Sequence, residues 1–348
     1  MRDIILHLGM PKTGSTALQV FFARNHAALL ARGVDYARIG EFSAGESGGI
    51  SSGNGAHLAR CLLPPGNDAF IADPEPHFAA LFDAIENSQA ATGLISSELF
   101  AHADPARLGA LAAMLRAHGL RTRAFYFIRI QDQLLSANYV QMVKRHGFTG
   151  EPDAFVLRDM AAVPFLRVHQ YYRTIAGIFG EGGVSLVVYG GACTRPGGLC
   201  SAALAGMCID AAGLEPGADV VNPSLAGPML GLMLALNRFH PRMELSDLVV
   251  QAAQARGLAP VGAIHHLLRP ETVDQIERYF AGENAALARE YFRRERLFET
   301  RPFAAEVPAP AALSREEVID ILGELLVRQD RRVAALESAL PEADGAKA

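Results

Sequence analysis

Tryptophan is absent from this 348-residue chain, and lysine nearly so: of 32 Lys plus Arg, only Lys12, Lys144 and Lys347 are lysine. Without tryptophan, any stacking on a nucleobase falls to Phe or Tyr. The four cysteines (Cys61, Cys193, Cys200 and Cys208) form no Cys-x-x-Cys pair and accompany no His/Cys cluster at zinc spacing. Reduced, structural thiols are expected, and neither they nor the scattered histidines, His265-His266 included, imply a metal. No apolar run reaches the ~18 residues of a membrane-spanning helix. The opening MRDIILHLG is too short in apolar residues for a signal peptide, so a cytoplasmic protein is expected. Basic excess is lacking too. A formal net charge of −5 argues against a basic field for bulk nucleic-acid binding.

What remains is globular: 50% hydrophobic and 20% charged residues, too apolar for disorder. Residues 3–8 form a short apolar run that stops at Gly9, the pattern of a buried strand. From Ser15 to Arg32, Leu18, Phe21, Phe22, Leu29 and Leu30 recur at helical spacing, closed by Gly33. Residues 40–55 are Gly/Ser-rich and read as a mobile surface loop. Further strands are expected at 93–96, 122–128 and 184–189. Helices are expected near 55–63, 76–89 and 132–145, with another from Asp104-Pro105 to Gly119. After 198 the pattern is helical, near 198–212, 223–239, 244–256 and 271–296. Strands alternating with helices predict an α/β fold with a parallel sheet flanked by helices and a helical C-terminal part. A body over 1–300, a Pro/Ala linker at 301–313 and a C-terminal amphipathic helix with its tail at 314–348 complete the expected organisation. Ser314-x-x-Glu317 is a capping box opening that last helix, which either packs back on the body or pairs with a second copy.

The sharpest motif is Gly9-Met10-Pro11-Lys12-Thr13-Gly14-Ser15-Thr16, between the first strand and the first helix. Helix N-termini present unpaired N–H groups and partial positive charge, which suit a phosphate. The ATP/GTP loop reads G-x-x-x-x-G-K-[ST]. Both glycines fit, but Ser15 follows Gly14 and the lysine stands before it. That moves the point charge from the start of the helix into the loop. An ordinary helix entrance carrying a loop lysine is the plainer alternative.

These residues resemble the 5′-phosphosulfate loop of sulfotransferases, which use 3′-phosphoadenosine 5′-phosphosulfate (PAPS) as sulfuryl donor. The family pattern P-K-x-G-[ST]-[ST] is matched at Pro11, Lys12, Gly14, Ser15 and Thr16. The resemblance is to the soluble bacterial branch, and it implies a P-loop-like, three-layer fold. A second segment, FYFIR-IQDQLLSANYVQ, is similar to the bacterial R-x-Q-D…Y-x-Q form: Arg129 ends a strand, with Gln131, Asp132, Tyr139 and Gln141 following. The family's 3′-phosphate serine stands eight residues after the arginine. Here that position is Ala137, and Ser136 is one place early, a turn of ~100° on a helix. Weaker likeness lies in 94–98 (LISSE), 221–225 (VNPSL) and 278–292.

The resemblance implies a sulfuryl transfer without a metal, from PAPS to a hydroxyl of a carbohydrate or small molecule, leaving PAP. Lys12 would neutralise the leaving group, residues 13–16 (Thr13, Gly14, Ser15 and Thr16) would hold the 5′-phosphate, and Arg129 with Ser136 the 3′-phosphate. The planar guanidinium suits that last task. The base stays open between Glu98, at the carboxyl end of a strand, and His57, after the GNG turn. Glu41 and Glu46, in the Gly/Ser-rich segment, are outside candidates for the same role. Arg195, in the loop 190–198, is either a second phosphate contact or a surface residue. Two other classes remain: a kinase or NTPase on a related loop, and a non-catalytic scaffold of the same fold.

Overall fold

The computed structural model describes residues 2–49, 51–215, 228–239, 243–256, 267–299 and 314–339. Five strands, β1 (Arg2–His7), β2 (Val34–Asp35), β3 (Thr92–Ser96), β4 (Leu120–Arg129) and β5 (Val184–Tyr189), form one parallel sheet in the order β2-β3-β1-β4-β5. The expected α/β fold with a helix-flanked parallel sheet is observed. β1 lies in the middle because it can be covered on both faces: Ile4, Ile5 and Leu6 are all buried. The two-residue β2 had no counterpart in the pattern, being too short for any periodicity.

Register decides what gathers at the carboxyl ends. His7 stands opposite Ser96 of β3 and Phe125 of β4, so the loop after β1 is flanked by the turn after β3 and by the last residues of β4. In open parallel sheets this edge, where chain order reverses about the first strand, is where ligands bind.

Two expectations need correction. The helix from Ser15 stops at Arg24 and a second runs His26–Leu30. The break is chemical: buried Asn25 donates its amide to the Phe21 carbonyl at 3.0 Å and accepts from the Glu215 N–H at 2.7 Å, competing with the helix ladder. The 40–55 segment is packed rather than loose. It holds a short helix, Phe42–Glu46, and the buried Asn54. The Asn54 amide donates to the carbonyls of Ala37 and Leu94, while its oxygen accepts from the Ser96 N–H at 2.8 Å. Gly53 is required there, since a Cβ would lie 2.0 Å from the Ser96 carbonyl oxygen.

By contrast, the helix Pro105–Ala117 starts as expected, with the Asp104 carboxylate accepting from the N–H groups of Ala106 and Arg107. Helices at Pro152–Ala162 and Val168–Phe179 had no sequence expectation. The linker at 301–313, VNPSL at 221–225 and His265-His266 lie outside the described residues.

The chain divides into two compact units: Met1–Leu135, Leu157–Asn222 and Glu271–Pro302 make the first, and Ser136–Val156, Pro223–Pro270 and Phe303–Ala348 the second. The first carries the sheet. In the second, Tyr139, Phe148 and Phe155 stack edge to face, and Asn237 donates to the Val143 carbonyl at 2.8 Å. Its last helix, Arg315–Ala339, opens with the expected reciprocal cap: Ser314 Oγ accepts from the Glu317 N–H at 3.1 Å, and the Glu317 carboxylate accepts from the Ser314 N–H at 2.7 Å. Among the described residues no helix is long and apolar enough to cross a membrane.

Candidate active site

The loop between β1 and the first helix, Ser15–Arg24, is built from strained backbone. Gly9, Lys12 and Gly14 all have positive φ, at 46°, 62° and 83°. For Lys12 this left-handed conformation costs about 1–2 kcal/mol relative to glycine, a cost that tight packing around the loop must offset. Gly9 is required by space as well: a Cβ there would lie 2.6 Å from Glu98 Cα. Gly14 leaves room for Leu199, whose Cδ2 would be 2.4 Å from an added Cβ. The Thr13 hydroxyl donates to the Met10 carbonyl at 2.6 Å, closing the turn.

The helix that follows has an open N-terminus. Its N-cap is Gly14, which has no side chain to cap with, and no acidic residue stands in its first turn, an arrangement whose N–H groups and dipole suit an anion. Ser15 is buried, and its Oγ has no hydrogen-bond partner among the described residues. A buried hydroxyl left unpaired costs about 1–3 kcal/mol, and at this position a phosphate oxygen would satisfy it.

Glu98 follows β3. Burial pushes its carboxyl above the ordinary glutamate range, the Lys12 charge pulls it partly back, and the Glu41 carboxylate pushes it further up. Lys12, Glu98 and Glu41 thus share one electrostatic neighbourhood. Ser97, not Glu98, caps the next turn, its hydroxyl accepting from the Leu99 N–H. Glu41 is held by the Ser52 N–H at 2.7 Å and by Arg60 at 3.0 Å. Glu46 pairs with exposed Arg38. His57 lies on the short helix Ala56–Cys61, its ring 5.0 Å from that of His77.

Arg129 ends β4. Its guanidinium donates to the Lys12 carbonyl, bonds Gln133 Oε1 at 3.3 Å, and lies 5.1 Å from the Tyr189 ring centre. Gln131, two residues on, forms a reciprocal amide pair with Asn284, at 2.8 and 3.2 Å. Arg195 is exposed on its loop, and its carbonyl accepts from the Gly198 N–H. Ser136 is buried and belongs to the second unit.

Two polar residues beside the loop, His7 and Gln19, had no sequence expectation. His7 is fully buried, with Nδ1 2.8 Å from Ser96 Oγ, and burial lowers its pKa to about 4. Its Nε2 and both amide atoms of buried Gln19 have no partner among the described residues. These residues flank the motif in HLGMPKTGSTALQ; their only signal is a polar residue in an apolar strand and another on an apolar helix face.

No protein-family model matches this sequence, and no curated protein matches it either. The chain is similar to one solved structure, a sulfotransferase from Alicyclobacillus acidocaldarius, at 13% identity and a TM-score of 0.42, covering 84% of this chain and 97% of that one.

Proposed function

We propose that the chain transfers a sulfuryl group from PAPS to a hydroxyl of a carbohydrate or small-molecule acceptor. One observation carries the reading: Lys12 stands inside the turn, at positive φ, ahead of a helix N-terminus capped only by Gly14, with no acid in its first turn and a Ser15 hydroxyl that has no partner among the described residues. Such an N-terminus with a lysine displaced into the loop suits a 5′-phosphate whose neighbouring bridge oxygen gains charge during transfer.

PAPS, when bound, supplies an activated sulfuryl group on its 5′-phosphate. The protein's part is alignment and charge stabilisation, as in phosphoryl transfer. N–H groups of residues 13–16 with the Ser15 and Thr16 hydroxyls hold the 5′-phosphate; the Thr13 hydroxyl closes the turn instead. Lys12 neutralises the leaving oxygen. Arg129 takes the 3′-phosphate and, through the Lys12 carbonyl, holds the loop in register with β4. Glu98 is the favoured base over His57, because Glu98 shares the electrostatic neighbourhood of Lys12. In the ionised form it accepts the acceptor's hydroxyl proton as the acceptor oxygen bonds to sulfur and the sulfur's bond to the 5′-phosphate oxygen breaks, so that PAP leaves with the bridge oxygen.

The test is transfer of label from radiolabelled PAPS to a panel of sugars and small alcohols, with Lys12→Ala alongside. The reading expects labelled product from the wild type and near-complete loss in the variant. Equal turnover by both would overturn it.

A further inference from the structure

The last helix of the second unit, Arg315–Ala339, has two unlike faces. On one, Ile321 is wholly buried, Glu324 pairs with Arg256 at 3.3 Å, and Arg328 bonds Gln251 at 3.2 Å, so this face lies on the helix Met243–Ala255. On the other, Ile319, Leu322, Leu326, Val333 and Leu336 are exposed, Leu326 by 71% and Leu336 by 61%. A run of exposed large apolar side chains on one helix face marks an interaction surface.

The spacing identifies the partner. Positions 319, 322, 326, 329, 333 and 336 alternate steps of three and four, the a/d seam of a coiled coil, and the sequence continues it with leucine at 340. The a positions are Ile319, Leu326 and Val333; the d positions are Leu322, Gln329 and Leu336. β-Branched residues at a with leucine at d favour two parallel strands. The one polar seam residue, Gln329, carries both a donor and an acceptor, so it is satisfied by its own copy across a two-fold axis. Arg332 falls at g and Glu337 at the next e, the pair of opposite sign that a parallel partner brings together.

We infer that this face docks a second copy of the chain, forming a parallel, in-register two-stranded coiled coil. The assignment stands independently of the proposed chemistry.

Sedimentation equilibrium of the full chain tests it, read as mass against concentration with circular dichroism as the check on folding. The wild type is expected at twice 37.2 kDa. Leu326→Glu and Val333→Glu, each on an exposed surface, are expected as folded monomers. Arg332→Glu is expected to weaken the dimer several-fold, and adding Glu337→Arg to restore it. A wild type that stays monomeric through the micromolar range, a trimer or larger species, or a Leu326→Glu protein that keeps its dimer would each overturn the assignment. Failure of the double reversal to restore the dimer would overturn the parallel register.

Discussion

The Arg129 guanidinium donates to the main-chain carbonyl of Lys12, 117 residues away in sequence. The contact joins the end of β4 to the loop after β1, and it acts on a lysine whose backbone sits at positive φ. One arginine thereby couples loop conformation to its own position over the Tyr189 ring.

Arg129→Lys should therefore do more than weaken nucleotide binding. An ammonium cannot bond the Lys12 carbonyl while presenting a planar fork to a phosphate. We expect PAP affinity to fall by about tenfold or more, with the loss of a charge-assisted bond costing about 1.5–3 kcal/mol. Isothermal calorimetry with PAP measures it; unchanged affinity would remove Arg129 from the binding set.

Lys12 makes two separable contributions. Its charge is expected to lower the barrier, so Lys12→Ala should lose about 10²–10³-fold in kcat, the range for removing one stabilising donor. Its backbone is strained, so Lys12→Gly should be at least as stable as Lys12→Ala while being equally inactive. Thermal unfolding with single-turnover rates checks both, and a Gly variant clearly less stable than Ala would contradict the strain account.

Gly9→Ala is expected to cost on the order of 2 kcal/mol or more, because its Cβ would meet the Glu98 backbone at 2.6 Å in a left-handed conformation. Gly14→Ala should cost less, since the tip of the flexible Leu199 side chain can yield. Denaturant midpoints of the two variants decide the order.

His7 and Glu98 give opposite pH dependences. His7 has a pKa lowered to about 4 from 6.5, so between those values the unfolded chain binds the extra proton and stability falls as pH drops. The full loss is about 3 kcal/mol for this buried ring. His7→Gln should flatten that acid limb. Glu98 is shifted upward, so the folded state holds its proton longer, and stability falls as pH rises through its window. Glu98→Gln should then be at least as stable as the wild type at pH 7 yet inactive, if Glu98 is the base. Melts across pH 4–8 with matched rates test both.

Much of this frame is legible in the sequence. β1, β3 and β4 are short apolar runs because central parallel strands are buried on both faces; the edge strand β5, which buries Val184 and Leu186, is legible from its Val/Leu run alone, and the loop at 9–16 reads directly from glycine and lysine spacing. The bond from Arg129 to Lys12 is not legible, because it depends on the register of β4 against β1. The helix Val168–Phe179 buries Val168, Tyr172, Ile175, Ala176 and Phe179 at helical spacing, yet Arg167 before it provides no side-chain cap, so its start carries no signal. In the 40–55 segment, glycines that suggest looseness serve close packing around Asn54. Composition cannot tell those uses apart.

The central claim is that the loop around Lys12 takes a 3′-phosphoadenosine nucleotide rather than ATP or GTP. Calorimetric titration of the full chain with PAP and, separately, with ADP and magnesium tests it most directly. The account predicts saturable one-site binding of PAP that Arg129→Lys weakens, with ADP binding much more weakly. Tight ADP binding with none for PAP would contradict it.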